Sequence, residues 1–232
     1  MAAALLLLPA RLEHLSFSAP TLHFGDDAIF DTNELLLPTA ELQRLQQLTY
    51  LELAHIFLEG PSEASPALQP LQALTQLNGL RISSCGCQTV TASMLSGTHH
   101  LTRLQLSGCS LEPGALAGKT QLQRLQVKYM HPKLTGAQLA QLLSHLQPLQ
   151  QLTNLNLAHS LTADEQDSPP AAAYAALTAS SKLQHLDLTC CTLQAGSTCS
   201  LLAGSCRNSC LLTSTAFSCQ PTVLGGLPTR SR

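Results

Sequence analysis

Leu101-Thr-Arg-Leu104-Gln-Leu106-Ser-Gly-Cys109-Ser-Leu111 carries a spacing, LxxLxLxxCxL, that returns along the chain with other residues in its gaps. In an extended strand alternate side chains share a face, so Leu104 and Leu106 point one way while Arg103, Gln105 and Ser107 point the other. Leu101 and Leu111 mark the turns into and out of that strand, and Cys109 sits where the chain bends away. One such unit cannot bury its leucines alone. Stacked units can, because each covers its neighbour and the leucines merge into a continuous core.

Upstream of this stretch the spacing recurs as Leu12-x-x-Leu15-x-Phe17, a degenerate N-terminal copy, then Leu48-x-x-Leu51-x-Leu53 and Leu77-x-x-Leu80-x-Ile82-x-x-Cys85. Downstream it recurs as Leu122-x-x-Leu125-x-Val127-x-x-Met130, Leu152-x-x-Leu155-x-Leu157-x-x-Ser160 and Leu183-x-x-Leu186-x-Leu188-x-x-Cys191. The step from Leu12 to Leu48 is long enough to hold a further irregular unit. Leu42 to His55 returns almost literally as Leu146 to His159, with eleven of fourteen positions the same, which duplication explains more simply than chance.

The connections read as short helices and turns. Thr39 is placed to cap a short helix carrying Leu42 and Leu45, and Ser65-Pro66 opens a segment with Leu68, Leu71 and Leu74 at helical spacing. Thr135-Gly-Ala-Gln138 has capping-box form and opens the clearest helix, with Leu139, Leu142, Leu143 and Leu146 on one face. The link from Leu111 to Leu122 has room only for a turn or a 3₁₀ piece, and Ser168-Pro169-Pro170 caps an alanine-rich helix. Beyond Leu193 the spacing stops. Residues 1–193 therefore read as one repeat domain, and residues 194–232 as a Cys/Ser-rich tail, disordered or the end of an incomplete gene model.

Composition narrows the function. Hydrophobic residues make up 44% of the chain with 3% aromatic and no Trp, so the core is built from leucine and alanine. Net charge is -2 and charged residues are 11%, which argues against a general electrostatic grip on nucleic acid or anionic lipid. No apolar run approaches the roughly 20 residues of a membrane span. The start, Met1 to Arg11, lacks the basic region of a signal peptide, so secretion and organelle import are disfavoured against a buried lead into the first repeat. Nine cysteines is an odd count, Cys85, Cys109 and Cys191 fall on one repeat position, and there is no N-x-[ST] sequon, so a reduced, cytoplasmic setting fits best.

Seven copies of LxxLxL, several with Cys or Ser after the strand, resemble the leucine-rich repeat family. The resemblance covers about residues 1–193 and implies an α/β solenoid: a curved array with a parallel sheet on its concave face and short helices and 3₁₀ turns on its convex one. The Cys-bearing units resemble the cysteine-containing class found in substrate receptors of ubiquitin ligases, although no F-box-like segment precedes them. The bias toward Ala, Leu, Gln and Ser is similar to that of leucine-rich repeat proteins of green algae, some of which are assigned to the ciliary axoneme. A cytoskeletal location is what that likeness implies.

Chemistry-bearing residues are few. Pro113-Gly114-Ala-Leu-Ala-Gly118-Lys119-Thr120 ends like a phosphate-binding loop, but its first glycine is one residue too close and no strand-to-long-helix unit surrounds it. A convex turn is the better reading. His99-His100 sets no third metal ligand, and Cys199, Cys206, Cys210 and Cys219 lack paired C-x₂-C spacing. Cys190 reads as outward and reactive, Cys191 as inward and structural. No GxSxG or HExxH occurs, so no catalytic residue, metal site or cofactor is expected. Cys109 reads as a small side chain laid against the neighbouring turn's carbonyls.

Specificity is left to the outward strand positions: Tyr50, Glu52, Arg81, Arg103, Gln105, Arg124, Gln126, Lys128, Asn154, Asn156, His185 and Asp187. Stacked at the roughly 4.8 Å strand spacing, Arg81, Arg103, Arg124 and Lys128 form one basic patch with Glu52 and Asp187 towards its ends. The expected function is a non-catalytic scaffold that holds a protein segment, an acidic one, on its concave sheet. The alternatives are a ubiquitin-ligase receptor fragment and, far behind, a nucleotide-dependent enzyme using Gly114 to Thr120.

Overall fold

The computed structural model describes residues 8–18, 42–54, 69–83, 89–130, 133–160, 182–189 and 211–213. Each repeat contributes one short strand to a single parallel sheet: β1 (His14–Ser18), β2 (Tyr50–Ala54), β3 (Gly79–Ser83), β5 (Arg103–Ser107), β7 (Arg124–Lys128), β8 (Asn154–Asn156), β9 (His185–Asp187) and β10 (Leu211–Thr213), side by side in that order. Two further short strands, β4 (Thr89–Val90) and β6 (Ser110–Leu111), pair where the chain leaves the main sheet.

The register follows the leucine spacing. Leu15, Leu51, Leu80, Leu104, Leu125, Leu155 and Leu186 lie opposite one another across the sheet, and all are buried. Two residues on, Leu53, Ile82, Leu106 and Val127 form a second row, each at most 1% exposed. A convex row completes the core: Leu45, Leu48, Leu74, Leu77, Leu149 and Leu152 are buried in the same cluster. At about 1.5–3 kcal/mol for each fully buried leucine, this continuous seam outweighs every polar contact in the molecule.

The connections differ from repeat to repeat with their length. Gly136–Leu146 is an α-helix, α1, and Thr135 and Gln138 close both halves of the expected capping box. Gln69–Ala73 and Pro113–Leu116 are 3₁₀ turns. Leu42 is helical and residues 43–48 run on as turns, so Leu45 lies past the end of the short helix expected to carry both; Thr39, its expected cap, lies outside the described residues. Threonines at the strand starts tie the repeats together: Thr49, Thr102 and Thr153 each donate a 3.0 Å hydroxyl bond to the preceding repeat's Glu13, Asn78 or Gln123 carbonyl.

Two features depart from the sequence reading. β1 pairs directly with β2, so no further strand of the sheet intervenes between Leu12 and Leu48. The sheet also continues past residue 193, because Leu211, Leu212 and Thr213 of β10 lie opposite His185, Leu186 and Asp187 of β9. This copy escapes the motif because Ser209 and Ser214 stand where the other repeats carry leucine. The alanine-rich segment after Ser168 and Cys85, Cys190, Cys191, Cys199, Cys206, Cys210 and Cys219 lie outside the described residues.

Candidate functional site

The outward residues fall into three rows across the solvent face of the sheet. At the strand starts stand His14, Tyr50, Gly79, Arg103, Arg124, Asn154 and His185; in the middle Ser16, Glu52, Arg81, Gln105, Gln126, Asn156 and Asp187; at the strand ends of β5 and β7, Ser107 and Lys128. The expected single basic patch is therefore divided. Arg81 is bound to the neighbouring strand's Glu52, with Nη1–Oε1 at 3.2 Å. Arg103 and Arg124 sit opposite each other at the strand starts. Lys128 lies four residues further along β7, roughly 13 Å away at the strand rise.

Arg103 and Arg124 are both exposed, and among the described residues neither side chain has an ion-pair or hydrogen-bond partner. Beside them the sheet is shaped by a glycine. A Cβ on Gly79 would stand 2.5 Å from Cδ2 of Tyr50, so the Tyr50 ring lies across the position that a side chain at 79 would occupy. His14 tilts against the same ring at 6.1 Å between centroids. Together with Arg103 these residues line a shallow depression of about 340 Å³. Gln105 and Gln126 are half-buried neighbours in the middle row, Asn154 is half-buried, and His185 is exposed.

Asn156 and Asp187 belong to the frame of the sheet. Asn156 Oδ1 accepts from the Ala158 backbone N–H at 3.0 Å, and Asp187 Oδ1 accepts from the Thr189 N–H at 3.0 Å, the same turn in consecutive repeats. Asn156 Nδ2 donates to Asp187 Oδ2 at 2.6 Å, and Asn156 is 8% exposed. Asn156 is thereby buried and Asp187 half-buried, because a short side chain with an acceptor oxygen bonds its own backbone two residues on.

The strand exit has its own conserved geometry within the array. Gly108, Tyr129 and His159 occupy one repeat position and share left-handed backbone, with φ of 74°, 52° and 58°. Each donates its N–H to the following repeat, to the Lys128, Ala158 and Thr189 carbonyls. Glycine adopts this conformation without strain; for the other two it costs about 1–3 kcal/mol each. Tyr129 and His159 stack with centroids 4.8 Å apart and planes 15° from parallel. A stack is worth about 0.5–1.5 kcal/mol, less than the two backbone conformations cost. Tyr129 nevertheless stays 57% exposed. The sequence offered no signal for this pair beyond the alignment of Gly108 with Tyr129 and His159.

Cys109 is fully buried, with Sγ 3.7 Å from the Ser107 carbonyl of its own turn. Ser160, at the same repeat position, ties two turns together: its Oγ donates to the Val127 carbonyl of the preceding repeat at 2.7 Å.

The loop resembling a phosphate binder is overturned by its geometry. Gly114 lies inside the one-turn 3₁₀ segment that Pro113 opens, and Lys119 is 3% exposed with Nζ donating to the Leu95 carbonyl of the preceding repeat. Lys119 stands where other repeats carry Leu45, Leu74 and Leu149, so its ammonium is turned into the stack and away from any phosphate. Burial pushes its pKa below the ordinary 10.5. Among the described residues there is no cluster of three His, Cys, Asp or Glu that could hold a metal, and no helix long and apolar enough to cross a membrane.

Repeat spacing, register and parallel sheet together define a leucine-rich-repeat solenoid. No protein-family model and no curated protein matches the sequence. Among solved structures, the chain is similar to internalin C2 of Listeria monocytogenes, with TM-score 0.50, 20% identity, and coverage of 75% of this chain and 74% of that one. Another internalin of the same organism, inlF, gives TM-score 0.50 and 18% identity over 73% of this chain and 43% of its own. A leucine-rich repeat protein of Leptospira interrogans gives 0.48 and 19% over 66% and 34%. The chain thus spans about a third of the Leptospira protein and less than half of inlF. At these identities the likeness is one of fold.

Proposed function

We propose that the chain is a non-catalytic protein-interaction scaffold that holds an acidic polypeptide segment across the strand starts of β3, β5 and β7. The observation that carries this reading is the pair Arg103 and Arg124: adjacent, exposed and without partners among the described residues. Like charges directly opposite on a sheet cost roughly 0.2–1 kcal/mol, and a carboxylate laid between them removes the repulsion and adds charge-assisted hydrogen bonds. Tyr50, lying over Gly79, supplies a flat apolar wall beside the pair. Arg81 contributes less than its charge suggests, since Glu52 already occupies it. No observation favours a ligase-receptor role over any other binding role.

The test uses a fluorescein-labelled octaglutamate peptide and fluorescence anisotropy. Arg103→Gln with Arg124→Gln should weaken binding at least tenfold and flatten its salt dependence, while Lys133→Gln, an exposed lysine off the sheet, should change it less than twofold. Equal losses in both variants, or no saturable binding by the native chain, would refute the assignment.

A further inference from the structure

We propose that the Tyr129–His159 stack is a second, separate docking site, one that takes an aromatic side chain flanked by a carboxylate in a partner polypeptide. Folding alone does not account for the pair. Two non-glycine residues hold left-handed backbone at a position that Gly108 fills without strain, and their mutual stacking returns less than those conformations cost. The larger ring is also left 57% exposed.

The order of the repeats says which face is offered. His159 belongs to the repeat after Tyr129 and covers one face of its ring; the other face turns toward the preceding repeat, whose residue at this position is Gly108, with no side chain to lay over it. A planar group seated there continues the stack by one member. Lys128, next in sequence, is half-buried and has no ion-pair partner among the described residues, which selects an anionic neighbour to the incoming ring and disfavours a guanidinium. The site lies at the opposite end of β7 from Arg124, so its occupancy is independent of the arginine pair.

Because the chain has no Trp, a tryptophan-containing probe reports alone. The probe is acetyl-Ser-Asp-Trp-Glu-Ser-amide, followed by Trp emission, with acetyl-Ser-Lys-Trp-Lys-Ser-amide as its charge-reversed counterpart. The native chain should give a saturable blue shift with the acidic peptide and bind the basic one at least fivefold more weakly. Tyr129→Gly and Tyr129→Asn, both suited to left-handed backbone, should weaken binding at least tenfold with an unchanged or raised melting temperature. Arg103→Gln with Arg124→Gln should retain binding within threefold. The proposal is overturned if the native chain shows no saturable shift, if both Tyr129 variants bind like it, if they melt lower, which would make the stack structural, or if only the arginine variant loses the probe. That last result would leave the acidic-segment reading standing.

Discussion

Replacing Lys119 by Met should stabilise the protein, and the structure says by how much. The residue is 3% exposed, and its ammonium meets the Leu95 carbonyl. That carbonyl already accepts from Thr98 N at 3.0 Å and Thr98 Oγ1 at 2.9 Å, so removing the amine leaves no buried acceptor unsatisfied. The substitution gives up one hydrogen bond from a charged donor, worth about 1.5–3 kcal/mol. In return it removes an ammonium held out of water, whose desolvation costs several kcal/mol. Methionine keeps the length and volume, and the equivalent positions in other repeats are leucine. The net gain should be about 1–2 kcal/mol, read as a rise in urea midpoint at constant slope and in Tm of roughly 2–8 °C. The gain should also depend on pH. With the folded-state pKa below 10.5, the unfolded chain binds a proton that the folded chain releases throughout the window between the two values. Native stability therefore rises with pH across that window, and the advantage of Lys119→Met shrinks as pH approaches 10.5. A variant less stable than the native chain by more than 0.5 kcal/mol, on the order of the usual scatter between independent sites, would refute the reasoning, as would an advantage that does not vary with pH.

Other substitutions probe the frame of the array. Gly97→Ala should destabilise by about 3 kcal/mol or more, since its Cβ would stand 1.9 Å from the Gln72 carbonyl oxygen, whereas Gly114→Ala meets nothing within 4 Å and should be neutral or stabilising by about 0.4–1 kcal/mol in the same denaturation assay. Asn156→Ala strands the buried Ala158 N–H and should cost about 1–3 kcal/mol; Asn156→Asp keeps that acceptor but sets a carboxylate against Asp187, so its stability deficit should shrink as pH falls toward the carboxylate range. Cys109→Leu should overpack a fully buried slot and cost about 1–3 kcal/mol by thermal melting.

The leucines were legible because their role is periodic. Leu104 and Leu106, and their counterparts from Leu15 to Leu188, must face one core, and a parallel stack is the arrangement that lets each repeat close the next; Thr135 and Gln138 likewise announced α1 through a local bond pattern. What the sequence hid are the relations between repeats. Glu52 and Arg81 are 29 positions apart, yet the register makes them neighbours in the middle row and lets one neutralise the other. Lys119 looked like a loop lysine while it was read with Gly114 and Gly118; aligned with Leu45, Leu74 and Leu149 it becomes a core position. β10 was missed because serine replaces leucine on both sides of Leu212, so its membership in the sheet shows only through its pairing with β9.

In β8 and β9 the middle outward residue also decides where the strand ends. Where the residue at that position is Ser16, Glu52, Arg81, Gln105 or Gln126, the strand has five residues; where it is Asn156 or Asp187, three. Asn156 and Asp187 each accept from the backbone N–H two residues on and turn the chain out of the sheet at once. Glutamine carries its amide one methylene further out and leaves the ladder to continue to Ser107 and Lys128. The two glutamine strands thereby carry the basic residues at both ends of the solvent face: Arg103 and Arg124 where they begin, Lys128, followed by Tyr129, where β7 leaves the sheet. A polar choice at one repeat position sets the extent of the sheet, and through it how far apart the two proposed docking sites stand.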